Sequence, residues 1–575
     1  MTALKLSDNI YIKFCFSFRL SLLGFLVDFL FFIKKRRFLS VFLLLGVFIF
    51  LAVSSLVKKS ATFDESNHLV RGLYPLSGKG YTLNKEHPPL VNFLQGLPVH
   101  FTMNVKLSTV ESNMHPFFHY SRSVLWGGAN DGKEMIFRAR LVTVFLSVLL
   151  GVLIYWWAND LYGFQGGILS LALFCFSPTI LANSRLVTTD AGLAFFLFAY
   201  YFALWKLIQS PSHKKTVITG LCLGAGIGSK HLALLSIPIS LVVLSLVQYF
   251  GKLQLIPAVP FVSKIGSDPL IRRRGVLLAW VVWLEIVLIA FIVVWGLYGF
   301  SLGPIRGTGM MVPMPDYFEG LNQGWNSLKS GRLYYLDGHI SENGWYVYFL
   351  KAFLYKTPIP LLLILFGACV WRLLDKPRVA KEMGWIALAV FCFALALIGK
   401  KVNLGSRYLL SVYPFLFLFA GSLARIPKFK FALIALVGWL ALEILVAHPN
   451  YISYFNQSFS PNEKRLHLVD SSLDWGQDLP ALANWQKENG IETLRLGYFG
   501  TANPEAYGVK YESLPFFLQE KWTGTSKLEL NGVIVVSATL LQGLYNRPAE
   551  YFAPLRERKP DVIIGDGSIL IFDLR

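Results

Sequence analysis

The sequence is poor in charged residues and in cysteine for its length. Asp, Glu, Lys and Arg make up 15% of the 575 residues, whereas about 25% is usual in soluble proteins. The five cysteines lie in hydrophobic stretches, and none lies in a long polar segment. The low charge excludes an ordinary soluble globular protein. The placement of the cysteines argues against a disulfide framework and against a cysteine-based metal site.

Hydrophobic runs take the place of the missing charge. Hydrophobic residues make up 54% of the chain, and they recur in runs long enough to cross a bilayer, at about 20 residues each. We therefore expect a polytopic α-helical membrane protein with about eleven transmembrane helices. The expected spans are 38–57, 138–157, 166–181, 190–208, 216–229, 231–250, 276–300, 357–373, 384–399, 408–424 and 430–448.

The net charge of +20 comes largely from short basic clusters beside these runs, such as Lys34–Arg37 and Arg272–Arg274. Such clusters hold loops in the cytoplasm and contact anionic lipid headgroups. No basic stripe interleaved with aromatic residues marks a soluble segment, so we expect no nucleic-acid partner. We expect a multi-pass protein of the plasma (inner) membrane, with a cytoplasmic N-terminus and, because the number of spans is odd, an extracytoplasmic C-terminus.

Four segments stand apart from the predicted spans. Residues 1–37 are hydrophobic but carry scattered charge, which predicts an amphipathic segment in the cytoplasmic interface, with one more spanning helix as the alternative. Three polar segments are expected on the extracytoplasmic side. They are the first loop (residues 58–137), the second loop (residues 301–356) and the C-terminal domain (residues 449–575).

The C-terminal domain has the pattern of a small α/β unit. Strands are predicted at 465–470, in "TLRLGYFG" and in "GVIVVS". Residues 478–490 predict an amphipathic helix that ends at a glycine. "DVIIGDGSILIFDL" predicts a closing hairpin with its turn at Asp566-Gly567.

Acidic residues stand directly outside two of the predicted spans. Asp64 and Glu65 follow the first apolar run, with His68 one helical turn after Asp64, and Asp190 begins another span. Charge so close to hydrocarbon is costly, which makes these side chains candidates for a functional site. Helix starts favour acids through the helix dipole and through capping, and that structural explanation stays open for both places.

Further ionisable residues lie on the same predicted side. "NKEHPPL" presents Lys85, Glu86 and His87 just before a proline pair that fixes the chain direction, although it could equally be an ordinary turn. Lys230 lies in a short link between two spans, and Arg407 lies at the mouth of another. Either cation could simply extend to the membrane interface.

Carboxylates and cations at one membrane face suit the transfer of a sugar from a polyprenyl-phosphate lipid. The lipid tail stays in the bilayer, so the reaction takes place at the headgroup. A carboxylate can remove a proton from an acceptor hydroxyl, and cations can stabilise the departing phosphate. Neighbouring carboxylates also favour the oxocarbenium-like state of the sugar.

Five motifs occur in order along residues 38–448: "FDESNH", "EHPPL", "LVTTDAGLA", "KTPIPLLL" and "GSRYLLSVYPFL". With them, the chain resembles GT-C glycosyltransferases of the protein-mannosyltransferase and aminoarabinose-transferase type. "LVDSSLDWGQDLPAL" (468–482) also resembles a stretch that follows the membrane region in bacterial relatives. The resemblance implies an inverting membrane glycosyltransferase that uses a polyprenyl-phosphate-linked sugar. Its acceptor, a protein, a lipid or a glycan, lies on the extracytoplasmic side.

The resemblance also implies roles for Asp64, Glu86, His87, Asp190 and Arg407, and the positions of Glu65, Lys85 and Lys230 on the same predicted side add three further candidates. Asp64 is the expected catalytic carboxylate. The other expected catalytic-site acids are Asp190 and Glu65. The expected ligands of the donor phosphate and its lipid are Lys85, His87, Lys230 and Arg407. The resemblance leaves a divalent metal at Glu86 and His87 as an option, and no other cofactor is expected.

Other readings remain open from sequence alone. A transporter or flippase for a lipid-linked glycan is one alternative, and an inactive membrane scaffold that binds partners through the C-terminal domain is another. Transporters commonly show inverted repeats and charges at the membrane midplane. Here the charges gather at one face and no repeat is found, which favours the enzyme.

"DSSLDWGQD" places Asp470, Asp474 and Asp478 at four-residue intervals. The spacing does not fit a calcium-binding loop. The end of a strand followed by acidic capping of the next helix explains it. A loop that faces the acceptor or the donor is the functional alternative.

Overall fold

The computed structural model describes most of the chain. The described residues are 37–81, 83, 85–107, 117–249, 270–305, 308–329, 331–374, 403–515, 527–546 and 550–575. The predicted span 384–399 and all but the last residue of the predicted interfacial segment 1–37 lie outside the described residues.

The helices are numbered here in chain order. In the first half they are α1 (Arg37–Val57), α2 (Glu65–Leu76), α3 (Leu90–Thr102), α4 (Phe117–Trp126), α5 (Gly132–Cys175), α6 (Pro178–Asn183), α7 (Asp190–Gln209), α8 (His213–Ile227), α9 (Ser236–Tyr249) and α10 (Leu270–Leu297). In the second half they are α11 (Pro315–Lys329), α12 (Tyr348–Lys356), α13 (Ile359–Leu374), α14 (Tyr413–Ala420), α15 (Lys430–Ala447), α16 (Lys464–His467), α17 (Leu479–Glu488), α18 (Ala538–Leu541) and α19 (Ala553–Arg556).

The expected helical membrane architecture is confirmed, but the number eleven is not. Among the described residues, six helices are long and apolar enough to span a bilayer, or seven if α12 and α13, bent by 116°, form one span. The predicted spans 138–157 and 166–181 are the two arms of the 44-residue α5, which breaks at Gly163 with a φ of 76°. The predicted span 408–424 is divided into α14 and two short 3₁₀ turns.

The membrane helices share one apolar core. In it, the ring of Trp157 on α5 lies 5.1 Å from Phe198 on α7 and 6.3 Å from Phe415 on α14. Helices α8 and α10 pack closely because α8 carries small residues. A Cβ built on Gly224 would lie 2.6 Å from the Cβ of Val293, so a larger residue would push the two helices apart.

The first loop forms a helical layer over one end of these helices. It contains α2, α3 and α4, and α2 packs against α3. A Cβ on Gly72 would lie 2.0 Å from the carbonyl oxygen of Asn92, so glycine is required at this crossing. The second loop contains two short hairpins, β1 (Leu302–Pro304) with β2 (Met311–Pro313) and β3 (Tyr334–Leu336) with β4 (His339–Ser341), besides α11.

The C-terminal domain is built on a mixed five-stranded sheet. Its strands are β5 (Leu494–Gly497), β6 (Tyr511–Ser513), β7 (Gly532–Ser537), β8 (Val562–Ile564) and β9 (Ile569–Leu574), in the order β6-β5-β7-β9-β8. The pairs β5–β6 and β5–β7 are parallel, whereas β7–β9 and β8–β9 are antiparallel. The expected α/β domain is therefore confirmed, including the closing hairpin and the helix α17.

The predicted strand at 465–470 is wrong. Lys464–His467 form one turn of helix, α16, and Asp470 then adopts a left-handed φ of 56°. The alternation of apolar and polar residues suggested a sheet face, but Lys464 and Arg465 are both buried. Lys464 forms an ion pair with Asp566. Because Asp566 is far away in sequence, the local pattern around Lys464 does not predict that this lysine is buried in an ion pair.

The C-terminal domain packs directly on the start of the first loop. The backbone N–H of Ser60 donates to the carbonyl of Gln477 at 3.0 Å, and that of Phe63 donates to the carbonyl of Trp475 at 2.9 Å. Lys59 forms a buried ion pair with Asp478. These contacts join the two segments above the helix ends, where the candidate residues lie.

Candidate active site

A cavity of about 470 Å³ lies where the first loop, the membrane-helix ends and the C-terminal domain meet. This volume is typical of small-molecule sites, which measure about 300–1,000 Å³. Of the eight residues to which the sequence assigned a catalytic, phosphate-binding or metal-binding role, six line the cavity: Asp64, Glu86, His87, Asp190, Lys230 and Arg407. The structure thus brings together five segments that are separated in the chain. The catalytic and binding roles of these residues stay predictions.

Asp64 precedes α2, and its side chain faces a cation. Arg407 donates from Nη1 to Oδ2 of Asp64 at 2.9 Å. The Asp64 side chain makes no capping hydrogen bond to α2 within the described residues, although Asp64 is the cap residue of that helix. The simple capping explanation therefore does not account for this carboxylate. Its side chain keeps a quarter of its surface exposed, so it is accessible from the cavity.

Asp190 begins α7 and lies between two cations. Lys230 donates to its Oδ1 at 2.6 Å, and Nη1 of Arg407 lies 3.8 Å from its Oδ2. The Asp190 side chain is nearly fully buried. A buried carboxylate requires such pairing because desolvation of an isolated charge is costly. Asp64, Asp190, Lys230 and Arg407 therefore form one connected set of charges.

Aromatic rings enclose the two cations of this set. The guanidinium carbon of Arg407 lies 4.3 Å from the ring centroid of Trp475, and Nζ of Lys230 lies 4.7 Å from that of Tyr408. Burial alone would lower the pKa of Lys230, but the carboxylate of Asp190 outweighs it and raises that pKa above the usual value. The pKa of Arg407 is likewise raised, mainly by Asp64 against the effect of burial. Both residues stay cationic and can hold a phosphate.

Two stacked histidines lie beside the charged set. The rings of His68 and His87 are 5.6 Å apart and nearly parallel. Burial and then the charge of Arg71 lower the pKa of His68 to about 3, and the same two causes hold the pKa of His87 well below its usual value. Both rings are neutral at pH 7. As a neutral ring, His87 can donate one hydrogen bond to a phosphate.

Glu86 lines the cavity with Arg332 of the second loop 3.7 Å away. The metal considered for Glu86 and His87 needs several ligands, and protein metal sites usually gather at least three. Across the described ranges, no group of three or more His, Cys, Asp or Glu side chains could hold a metal ion. The described side chains therefore do not provide a complete protein ligand set for a metal at Glu86 and His87.

Glu65 does not fit the catalytic role predicted for it. Its side chain is fully buried, and Arg140 of α5 donates to both carboxylate oxygens, at 2.8 Å and 2.6 Å. The backbone N–H groups of Thr62 and Val187 also donate to it. Burial would raise the pKa of Glu65, but these interactions, led by Arg140, lower it. Glu65 therefore ties the first loop to α5 and does not line the cavity formed by the described residues.

Lys85 does not fit the phosphate-binding role predicted for it. Its Nζ lies 2.5 Å from carboxylate oxygens of Asp316 and Glu319 on α11. Lys85 lines a small neighbouring pocket instead of the cavity formed by the described residues around Arg407. Two carboxylates already neutralise this cation. Lys85 thus ties the first loop to the second loop.

The C-terminal domain contributes cavity residues that the sequence analysis did not assign to the site. They are Asp470, Trp475, Phe499 and Tyr545. Asp470 and Trp475 belong to "DSSLDWGQD", whose acidic spacing is also compatible with capping of the next helix. Nothing in the local sequence around Phe499 or Tyr545 indicates a site. Their position follows from docking of the sheet onto the first loop.

Residues 126–255 match the family model described as dolichyl-phosphate-mannose-protein mannosyltransferase. The matched segment contains α7 and the link after α8, and so includes Asp190 and Lys230. The resemblance to this glycosyltransferase family, predicted from short motifs, is confirmed for that segment. Among curated proteins, no sequence matches the chain.

Several solved structures are similar to the chain at low identity. ArnT from Cupriavidus metallidurans bound to undecaprenyl phosphate is 15% identical over 92% of this chain and 97% of that chain, with a TM-score of 0.46. The protein O-mannosyltransferase Pmt1-Pmt2 complex of S. cerevisiae bound to the sugar donor is 16% identical over 46% and 33%, with a TM-score of 0.32. The archaeal oligosaccharyltransferase AglB from Archaeoglobus fulgidus, in complex with an inhibitory peptide and a dolichol-phosphate, is 11% identical over 88% and 72%, with a TM-score of 0.41. Such TM-scores are too low to transfer a residue role to this chain.

Proposed function

We propose that this chain is an inverting membrane glycosyltransferase. It moves a sugar from a polyprenyl-phosphate donor to a hydroxyl or amine of an acceptor on the extracytoplasmic side. The observation that carries the proposal is the connected set of Asp64, Asp190, Lys230 and Arg407 in one cavity at the membrane-helix ends. The match of residues 126–255 to a mannosyltransferase family supports the same activity.

The position of the cavity suits a lipid-linked donor. Asp190 begins α7, whose 20 residues extend about 30 Å, the thickness of the hydrocarbon core. The cavity therefore lies near one membrane face, where the phosphate of a polyprenyl lipid is held by its tail. The basic clusters on the other ends of the spans favour the extracytoplasmic face for the cavity.

Lys230 and Arg407 bind the donor phosphate in this mechanism. Both cations stay charged, and they come from separate segments, so they can approach a phosphate from two sides. In the observed arrangement Nη1 of Arg407 donates a hydrogen bond to Asp64. An arriving phosphate competes for that guanidinium, and the competition loosens Asp64 from its partner. Phosphate binding thereby frees the carboxylate that the next step uses.

Asp64 then acts as the general base. It takes the proton of the acceptor hydroxyl or amine while the acceptor atom forms a bond to the anomeric carbon. The bond from that carbon to the phosphate oxygen breaks, and the polyprenyl phosphate leaves with the electron pair. Lys230 and Arg407 stabilise its charge. A single displacement from the opposite face inverts the anomeric configuration, and the nearby carboxylates stabilise the oxocarbenium-like state.

The proposal is tested with the purified full chain in lipid nanodiscs and a panel of undecaprenyl-phosphate-linked sugars. We expect release of undecaprenyl phosphate from at least one of them, since water can replace the missing acceptor at a slow rate. Movement of intact lipid between the leaflets of proteoliposomes without release would instead indicate a flippase. Neither release nor movement, with no binding of undecaprenyl phosphate, would indicate a scaffold.

A further inference from the structure

Of the three aspartates in "DSSLDWGQD", only Asp470 lines the cavity, whereas Asp474 and Asp478 are buried in other contacts. Asp474 is buried, and its Oδ2 accepts a hydrogen bond from the backbone N–H of Thr539 at 3.1 Å. Asp478 is also buried, between Lys59 and the hydroxyl of Ser568. These two acids fix the loop and dock the domain. Asp470 lines the cavity, so docking does not explain its charge.

Asp470 is held in place by a strained arrangement. The hydroxyl of Tyr545 donates to its Oδ2 at 2.9 Å, and the backbone N–H of Ser471 donates to its Oδ1. Asp470 and Tyr545 both have left-handed backbone angles, with φ of 56° and 62°. Such angles are costly, especially for a bulky tyrosine, and they cluster at functional sites. Each carboxylate oxygen still has a lone pair for a ligand.

Three aromatic rings form a stack beside Asp470. The rings of Phe63 and Phe499 are 5.0 Å apart, and those of Phe499 and Tyr545 are 5.3 Å apart, each pair nearly parallel. All three residues line the same cavity. Phe499 lies between the other two rings, so the outer ring face of Tyr545, next to the carboxylate, is the surface that suits the C–H face of a sugar whose hydroxyls donate hydrogen bonds to Asp470.

The segment "DSSLDWGQD" also connects Asp470 and the aromatic stack to the proposed phosphate site. Trp475, five residues after Asp470, places its ring against the guanidinium of Arg407. The sugar of the donor is attached directly to the phosphate, so it must lie next to the phosphate ligands. Lys230 and Asp190 approach from the membrane helices, whereas Asp470 comes from the C-terminal domain. Asp470 and the aromatic rings beside it therefore lie on the side of the cavity that the sugar can contact.

We propose that Asp470, supported by Tyr545 and the aromatic stack, binds hydroxyls of the transferred sugar and selects neutral or amino sugars against uronic acids. This inference rests on the proposed function and names the substrate class of the same site. A carboxylate accepts hydrogen bonds from hydroxyl or ammonium groups but repels a second carboxylate. Burial raises the pKa of Asp470. Its charge and its hydrogen bonds to hydroxyls therefore weaken at a less acidic pH than for an ordinary aspartate.

The test compares two affinities in each variant. One is for undecaprenyl phosphate, and the other is for undecaprenyl phosphate carrying mannose, glucose, 4-amino-4-deoxyarabinose or glucuronic acid. We expect the wild type to prefer at least one of the first three sugars over the bare lipid by about 10-fold or more, as expected for hydrogen bonds to a charged group. It should show no such preference for the glucuronic acid lipid.

The key variant is Asp470→Asn, because asparagine also tolerates the left-handed backbone. We expect it to lose most of the sugar preference while binding undecaprenyl phosphate at least as tightly as the wild type, because a negative charge near Arg407 is removed. Tyr545→Phe should lose part of the preference, because the carboxylate is held less firmly. Asp566→Asn is the matched control, since Asp566 is another left-handed aspartate of the same domain, at φ 62°, and pairs with Lys464. This control should keep the full preference.

The outcomes separate the two proposals. An unchanged sugar preference in folded Asp470→Asn, or a wild type that prefers none of the first three sugars, overturns the role of Asp470 but leaves the donor class intact. A preference for the glucuronic acid lipid overturns the predicted selectivity. A wild type that does not bind undecaprenyl phosphate overturns the proposed function, and this inference falls with it.

Discussion

Arg407 donates a hydrogen bond to Asp64 at 2.9 Å, although 343 residues separate the two in the chain. The same guanidinium nitrogen lies 3.8 Å from Asp190 and thus joins both acidic motifs. Trp475 covers the guanidinium from the C-terminal domain. The first loop, α7, the turn before α14 and the C-terminal domain therefore meet at one side chain. Substitutions of individual charged residues should therefore affect phosphate binding, the rate of sugar transfer and protein stability to different extents.

Removal of the Lys230 cation should weaken phosphate binding. We expect Lys230→Met to reduce the affinity for undecaprenyl phosphate by about 10-fold or more, because one charge-assisted hydrogen bond is lost. Lys206→Met is the matched control, since Lys206 lies near the other end of α7 and pairs with Asp160. Isothermal titration in detergent measures both affinities. Equal affinities in the two variants would show that Lys230 does not bind the phosphate.

The adjacent residues Asp64 and Glu65 should respond differently to the same change. Glu65→Gln leaves the buried Arg140 without its counter-charge, so we expect a loss of about 3–5 kcal/mol of unfolding free energy. Asp64→Asn breaks a partly exposed pair, which contributes at most about 1 kcal/mol. Thermal unfolding of both variants at pH 7.5 measures the difference. A variant Glu65→Gln as stable as Asp64→Asn would refute the structural role of Glu65.

His68 should make the stability of the protein depend on pH. Burial and Arg71 lower its pKa to about 3 in the folded protein, against about 6.5 in an unfolded chain. The unfolded state therefore binds a proton that the folded state does not, so this contribution is full above about pH 6.5 and falls as the pH drops toward 3. At pH 5 the loss from His68 is about 2 kcal/mol.

Melting temperatures at pH 7.5 and pH 5 check this prediction. The wild type should be less stable at pH 5, and His68→Gln should show a smaller difference between the two pH values. His87 has a lowered pKa from the same causes and adds a contribution of the same sign. If His68→Gln keeps the whole pH dependence of the wild type, the protonation of His68 is not its source.

Lys85 should affect the second loop and leave phosphate binding almost unchanged. Its ion pairs are with Asp316 and Glu319 on α11. We expect Lys85→Ala to bind undecaprenyl phosphate within about twofold of the wild type, since partly exposed pairs contribute about 1 kcal/mol or less. We also expect faster limited proteolysis within α11. A 10-fold loss of phosphate affinity would restore the role that the sequence suggested.

The membrane architecture and four charged residues of the cavity could be predicted from sequence, because hydropathy and charge at helix ends are local properties. Asp64, Asp190, Lys230 and Arg407 stand where apolar runs end, and the structure brings them together. The number of spans was less predictable. A break such as that at Gly163 and short turns such as those around α14 depend on packing between helices.

The direction of individual side chains could not be predicted. Glu65 turns toward Arg140 and Lys85 toward α11, partners that lie far away in sequence. The contribution of Asp470 depends on how the sheet of the C-terminal domain docks on the first loop. Its local sequence was equally compatible with helix capping. The directions of these side chains depend on partners far away in sequence, and the periodicity of the sequence does not predict such partners.

The most direct test of the account is the single-turnover release of undecaprenyl phosphate from the preferred lipid-linked sugar by wild type and Asp64→Asn. If Asp64 is the general base, the variant should melt near the wild-type temperature and bind the donor at least as tightly as the wild type, because asparagine at this position competes less than aspartate for the Arg407 guanidinium. Its release rate should fall by about 100-fold or more. A folded Asp64→Asn protein that releases undecaprenyl phosphate at the wild-type rate would contradict the proposed mechanism.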